Sequence, residues 1–220
     1  MSMGVRLNTN GWGLFLNLGR AVSYSKQRFY QIEFVEFKHP KEQKQASDYG
    51  FSGLGYPPKP FVFGKQNTFH ALHFGFGNRV FIGDKAEKSG VEVNFTYLIG
   101  PSLGLLKPYY LDVIVSTEDG GVDTEAFRYD GFNDSIFLSR ESIYGASGFS
   151  KGLKEIKFRP GIHAKAGFNF DWSDYNDRIR AVEVGLAADV YPKRIPIMIE
   201  ERNDPYFIYL YLAIQFGKRW

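Results

Sequence analysis

The chain has 220 residues, with 27 basic and 24 acidic side chains, a net charge of +3, 24 glycines, an aromatic fraction of 17% and no cysteine. Disulfides and thiolate metal sites are therefore excluded, the scattered charge argues against a nucleic-acid partner, and the aromatic and glycine content favours β-structure. No run approaches the ~20 apolar residues of a membrane helix, and no composition break or linker divides the chain, so residues 1–220 read as one domain.

Apolar and polar residues alternate with period 2 through most of the chain, the mark of strands with one apolar face. In 5–18, Val5 and Leu7 precede Leu14, Leu16 and Leu18 in the other parity, with Gly13, Phe15 and Asn17 opposite. Asn10-Gly11 is either a bulge in one long strand or a tight hairpin turn; the bulge is preferred because it gives an even strand count. At 27–38, Tyr30, Ile32 and Phe34 oppose Gln31 and Glu33, and at 65–77 Leu72, Phe74 and Phe76 oppose His73 and Gly75. At 89–105, Val91, Val93, Phe95, Tyr97 and Ile99 oppose Glu92, Asn94 and Thr96; at 109–117, Leu111, Val113 and Val115 alternate with Asp112 and Ser116. The strands 158–172, 178–191 and 206–220 each carry one wholly apolar face, such as Val182, Val184, Leu186, Ala188 and Val190 against Glu183, Gly185, Ala187 and Asp189. Eight strands predict a single antiparallel up-and-down transmembrane β-barrel. Glycines on the polar faces (Gly75, Gly77, Gly161, Gly167, Gly185) suit a crowded interior, whereas a soluble barrel would turn its apolar face inward. Trp12, Tyr109, Trp172, Tyr191 and Trp220 lie near strand ends like interfacial girdles.

Counting back from a periplasmic C-terminus puts 192–205, 118–156 and 78–88 outside, and short turns at 173–176 and Lys107-Pro108 inside. Residues 39–60 then form a long periplasmic connection, basic at Lys41, Lys44 and Lys59 and rich in Pro and Gly, whose His39-Pro40-Lys41-Glu42 start is a candidate partner-binding segment. Met1-Ser2-Met3-Gly4-Val5-Arg6 carries no charged and then apolar export signal, so this reading takes the sequence as a mature form from which the signal peptide has been removed.

The terminal strand, closing on Phe216 and Trp220, looks like the assembly signal of bacterial outer-membrane proteins. Together with Asn8-Thr9-Asn10-Gly11-Trp12-Gly13, Phe37-Lys38-His39-Pro40-Lys41-Glu42, Lys107-Pro108-Tyr109, Tyr191-Pro192-Lys193 and Phe216-Gly217-Lys218-Arg219, it makes the whole chain similar to a family of small outer-membrane barrels of Bacteroidota. The resemblance implies fold and location and supplies no catalytic residues.

The chemistry-bearing residues are sparse. His70 and His73, three apart on a strand, point to opposite faces and cannot share a metal. His163 faces inward beside Lys165 and across from Glu183 or Asp189, which with Arg159 read as a lumen ion-pair network rather than a catalytic set. Neither Gly75-Phe76-Gly77-Asn78 nor 50–55 has the context of a phosphate loop. The acidic run 118–123 does not match the spacing of a calcium loop, though hard-oxygen ligands leave calcium open. Asp134 to Ser139 opens a short helix that makes 118–156 a folded lid over one mouth. An eight-stranded barrel has no room for a solute channel, and Arg6, Glu33, Glu92 and Asp112 add charges to its interior. The expected function is that of a non-enzymatic, cofactor-free accessory barrel, contacting outer-membrane lipids, the barrel-assembly machinery during biogenesis, and other envelope proteins. The alternatives are a lumen-edge lipid-modifying enzyme or lipid-binding barrel using His163, and a soluble lipocalin-like carrier.

Overall fold

The structure, a computed structural model, describes residues 1–23, 25–47, 57–83, 90–117, 121–173, 178–199 and 201–218. In chain order the strands are β1 (Ser2–Asn8), β2 (Gly11–Ser23), β3 (Lys26–Phe37), β4 (Lys44–Gln45), β5 (Phe61–Val62), β6 (Asn67–Gly83), β7 (Glu92–Pro108), β8 (Tyr110–Ser116), β9 (Val122–Arg128), β10 (Ile143–Ala146), β11 (Lys157–Asp171), β12 (Arg178–Val190) and β13 (Tyr206–Lys218). A short helix, α1 (Asp134–Phe137), stands between β9 and β10. Strands β1, β2, β3, β6, β7, β11, β12 and β13 pair antiparallel in that order, and β13 closes on β1. The result is the closed eight-stranded up-and-down barrel that the alternation predicts.

Register carries the apolar parity from strand to strand. Leu7 pairs with Leu212, Leu212 with Val184, Val184 with Phe168 and Phe168 with Phe95, all on the outer face. The outer wall is thus a band of exposed Leu, Ile, Val and Phe, while Arg6, Glu33, His73, His163, Lys165, Glu183 and Asp189 are buried within. The charged residues of the barrel's middle thus turn inward, among buried Phe15, Phe29, Phe37 and Phe69, while the large apolar residues beside them turn outward.

Two strand assignments change, and their effects on the count cancel. Asn10-Gly11 is not a bulge: β1 and β2 form a hairpin, paired from Ser2 with Asn17 to Asn8 with Gly11. The turn explains why Val5 and Leu7 share a face with Leu14 despite their opposite parity. Gly11 heads β2 at φ +154°, where a Cβ would lie 1.8 Å from the Glu36 carbonyl oxygen, so only glycine fits. In turn, 109–117 is not a barrel strand. β7 runs on to Pro108, and β8 leaves the barrel to form a three-stranded sheet, ordered β10-β8-β9. Its alternation is real, but Leu111 and Val113 are buried against Phe61, Phe137 and Ile143 rather than facing outward.

The two changes shift strand directions, so the long connections open differently from the expectation. The strand ends at Phe37, Asn67, Pro108, Lys157, Val190 and Tyr206 lie at one rim, with the Thr9-Asn10 turn; those at Ser23, Lys26, Gly83, Glu92, Asp171 and Arg178, with Met1 and Lys218, lie at the other. The 39–60 connection is therefore on the same side as 118–156, and 78–88 is not; β6 itself continues to Gly83.

Together the long connections build a cap over the first rim. Lys44 pairs with Val62 between β4 and β5, and Gln66 and Asn67 both donate backbone hydrogen bonds to Ile197. Phe61 turns into the cap core while Val62 packs with Ile195, Ile197 and Met198 onto the barrel's uppermost aromatic layer. Burial beneath the cap raises the Tyr109 phenol above its ordinary value, and the Tyr110 hydroxyl, donating to Glu155 Oε1 at 2.5 Å, is raised by that bond. Asp112, expected in the lumen, belongs to the cap, where it accepts from Ser147 Oγ. The short helix expected after Asp134 is present as α1.

Candidate functional site

The lumen is filled in layers. Below the cap, Phe37, Phe69 and Phe207 stack with centroids 4.9–5.6 Å apart, and Tyr191 meets Phe69 edge-on. This aromatic plug separates the cap from the polar interior. Towards the termini rim, Gln31 donates to Asn17, which donates to Gln215, beside buried Phe15 and Phe29.

Between them lies the charged network, assembled from six strands because each contributes inward residues at period 2. Arg6 Nε on β1 is 2.8 Å from Glu33 Oε1 on β3, both side chains fully buried, and an Arg6 terminal nitrogen donates to the Tyr209 hydroxyl at 3.1 Å. Asp189 collects His73 Nε2 at 2.9 Å, His163 Nδ1 at 3.1 Å and the Tyr209 hydroxyl at 2.8 Å. Glu183 accepts from Lys165 at 3.0 Å, the Tyr211 hydroxyl at 2.9 Å and Asn169 at 3.3 Å. The Arg6–Glu33 and His73–Asp189 contacts are close ion pairs by distance, without the straight N–H···O angle of a good hydrogen bond.

Of the expected lumen residues, His163, Lys165, Glu183 and Asp189 meet in this network. Arg159 does not: it sits nearer the cap, half-buried, and its Nε makes no hydrogen bond. His73 was legible as inward-facing but not as the partner of His163, since nothing in a single sequence says that β6 and β11, not neighbours in the barrel, face each other across the lumen. His70 is outward and stacks on Phe34, so the two histidines do lie on opposite faces.

The donor atoms of His73, His163 and Glu33 lie within 4.8 Å of one another, close enough in distance alone to share a metal ion. The rings, however, are parallel within 8° and 4.0 Å apart. An imidazole ligates along a lone pair in its own ring plane, at about 2.0–2.1 Å for zinc. Two nearly parallel planes that far apart share no point at that reach, and Glu33 already faces Arg6. As folded, the cluster is an ion-pair network, not a metal centre. Ser102, buried in the lumen and directly opposite His73 in the β6–β7 register, has its hydroxyl in a 2.8 Å hydrogen bond with that of Tyr191, and no hydrogen bond joins it to either histidine among the described residues.

No protein-family model matches the chain, and no curated protein matches it in sequence.

His39, Pro40, Lys41 and Glu42 lie on the cap, not beyond the opposite rim; Glu42 is bound inward by Lys65 at 2.5 Å, and Lys41 reaches Glu201 at 2.7 Å beside a hollow of about 370 Å³. Trp12 and Trp172 are outward, near opposite rims, whereas Tyr191 is buried in the lumen and Tyr109 beneath the cap, because both belong to layers that seal the barrel. Phe216 is exposed on the wall of β13. Trp220, the 50–55 glycines and residues 118–120 of the acidic run lie outside the described residues.

The glycines make the network possible. A Cβ on Gly167 would lie 2.6 Å from the Tyr211 hydroxyl and 2.5 Å from the Val184 carbonyl oxygen. Gly167→Val is thus expected to cost about 1–3 kcal/mol through overpacking and to push Tyr211 off Glu183, read as a lower urea midpoint with altered near-ultraviolet circular dichroism. An unchanged midpoint and spectrum would mean that the lumen is not packed this tightly.

Proposed function

We propose that this chain is a non-catalytic barrel of a bacterial outer membrane, closed to solutes, which presents its cap to other envelope proteins. The observation that carries the reading is the outer wall: exposed Leu7, Leu212, Val184, Phe168 and their neighbours form a continuous apolar belt around an interior of buried charges. Soluble monomers seldom expose apolar patches beyond a few hundred Å², and a lipocalin-like carrier would need this distribution inverted. The resemblance to small Bacteroidota barrels points the same way. The aromatic plug and the tightly filled charged layer below it argue against a solute path, and the buried position of His163 argues against the lumen-edge enzyme.

Short passages at the termini rim and long ones at the cap rim fit the periplasmic and external sides of such barrels. The segment expected to dock in the periplasm moves outward with the cap. Within the cap, just before α1, Phe132 is 96% exposed, and an exposed aromatic ring is a suitable anchor for a protein partner.

The test is fractionation with a heat-modifiability gel, followed by cross-linking in the envelope. The barrel should need detergent and run faster unboiled, and Phe132→Ser should lose cross-linked partners while keeping the folded band. A water-soluble monomer would overturn the membrane reading, and an unchanged partner set would overturn the docking role.

A further inference from the structure

Resting on that membrane reading, we infer that the outer wall of the β2–β3 hairpin holds a binding site for the phosphate of an anionic phospholipid, clasped by Arg20 and Arg28. The two residues are directly opposed in the hairpin register, both exposed, and both fall on the outward parity of Leu18 and Tyr30. Like charges directly opposite on one sheet face destabilise it. A protein surface usually relieves such a pair with an acid, yet among the described residues no carboxylate lies in ion-pair reach of either. Arg28 instead lies over the Phe76 ring at 5.5 Å, and Phe76 leans on Tyr30 at 5.3 Å. The guanidinium is thereby held against the wall by aromatic rings rather than by charge.

Between the arginines is an open-sided hollow of about 660 Å³, floored by Leu18, Val22 and Tyr30. Its position suits a lipid: Arg20 and Arg28 stand at the termini rim, just beyond the apolar belt, where headgroups would lie. Arg178 adds exposed positive charge at the same rim on the far wall, while the described outward residues of that rim include no acid. A phosphate between two guanidinium forks replaces their repulsion with charge-assisted hydrogen bonds. The apolar floor meets the glycerol and the first acyl carbons.

The probes are dioleoylphosphatidylglycerol, dioleoylphosphatidylcholine and inorganic phosphate, offered to the full chain in detergent and read by native mass spectrometry. The wild type should retain one phosphatidylglycerol in preference to phosphatidylcholine. Arg20→Gln with Arg28→Gln should weaken that retention about thirtyfold, while Arg178→Gln, on the far wall, leaves it in place. Both sites are exposed at a strand tip, and the heat-modifiability gel reports that the variants still fold. Equal retention by wild type and double variant overturns the site. Displacement of the lipid by millimolar inorganic phosphate, with no preference between the lipids, makes it a free-phosphate site and overturns the lipid assignment. A chain that stays soluble without detergent fails the membrane reading and this inference together, whereas a detergent-requiring barrel with indifferent lipid retention fails the inference alone.

Discussion

Glu33→Ala is expected to destabilise the barrel by about 3–5 kcal/mol, the cost of removing one partner from a buried ion pair. Arg6 and Glu33 are both 0% exposed and 2.8 Å apart, so alanine leaves a guanidinium enclosed among tyrosine rings, with Tyr209 and Tyr211 centroids 5.6 and 5.2 Å away. Neither ring supplies a full negative charge. His73, 3.6 Å from Glu33 on its Nδ1 side, also loses a neighbour. Replacing both members with apolar residues, as in Arg6→Met with Glu33→Leu, should recover most of the loss, since a buried pair exchanged for packed hydrophobes is often neutral. Tyr209 would still donate to Asp189 at 2.8 Å, so the hydroxyl is not orphaned. Urea unfolding in detergent, followed by tyrosine and tryptophan fluorescence, checks both variants. A single variant that unfolds at the wild-type midpoint would mean that water reaches Arg6, and the sealed lumen would have to be abandoned.

The wall and the lumen were legible because period 2 is a local property. Val182 to Val190 alternate outward and Glu183 to Asp189 inward whatever strands lie beside them, and the faces of β11, β12 and β13 are placed as read. What the alternation does not contain is the partner of a strand. Leu111 and Val113 alternate as barrel residues do, and only the cap core of Phe61, Phe137 and Ile143 reveals a small sheet outside the barrel. Gly11 was ambiguous for a different reason: a bulge and a hairpin both want glycine there, and the deciding contact, with the Glu36 carbonyl, comes from β3. These two differences preserve the count of eight while reversing strand direction between them, which is why the alternation alone assigns the 39–60 connection to the opposite rim. The candidate network was half legible on the same logic. Lys165 and Glu183 lie on adjacent strands and could be paired from the sequence, but His73 with His163 and Arg6 with Glu33 join strands that are not neighbours in the barrel, and depend on its closure.

Leu212→Arg is expected to cost about 2–4 kcal/mol if the wall lies in a bilayer, the range for a basic residue at the midplane of a barrel's lipid face. Leu212 is at the middle of β13, 43% exposed, and flanked on the same face by Leu7 and Val184. Its neighbours in that row are apolar, and the row's acid, Glu36, stands three strands away against Trp12, so the guanidinium must reach past several apolar residues to find water or a headgroup. In water the same substitution adds one exposed charge to a surface position, where changes usually stay within about 0.5 kcal/mol, and it would improve solubility by breaking the apolar belt. The two environments thus predict opposite directions for one residue. Refolding into phosphatidylcholine vesicles, with the folded fraction read from unboiled gels across a urea series, measures the difference. A lowered midpoint in vesicles places the belt against acyl chains; an unchanged midpoint, with a higher yield of detergent-free monomer, would place it against solvent and remove the ground for reading Arg20 and Arg28 as lipid ligands.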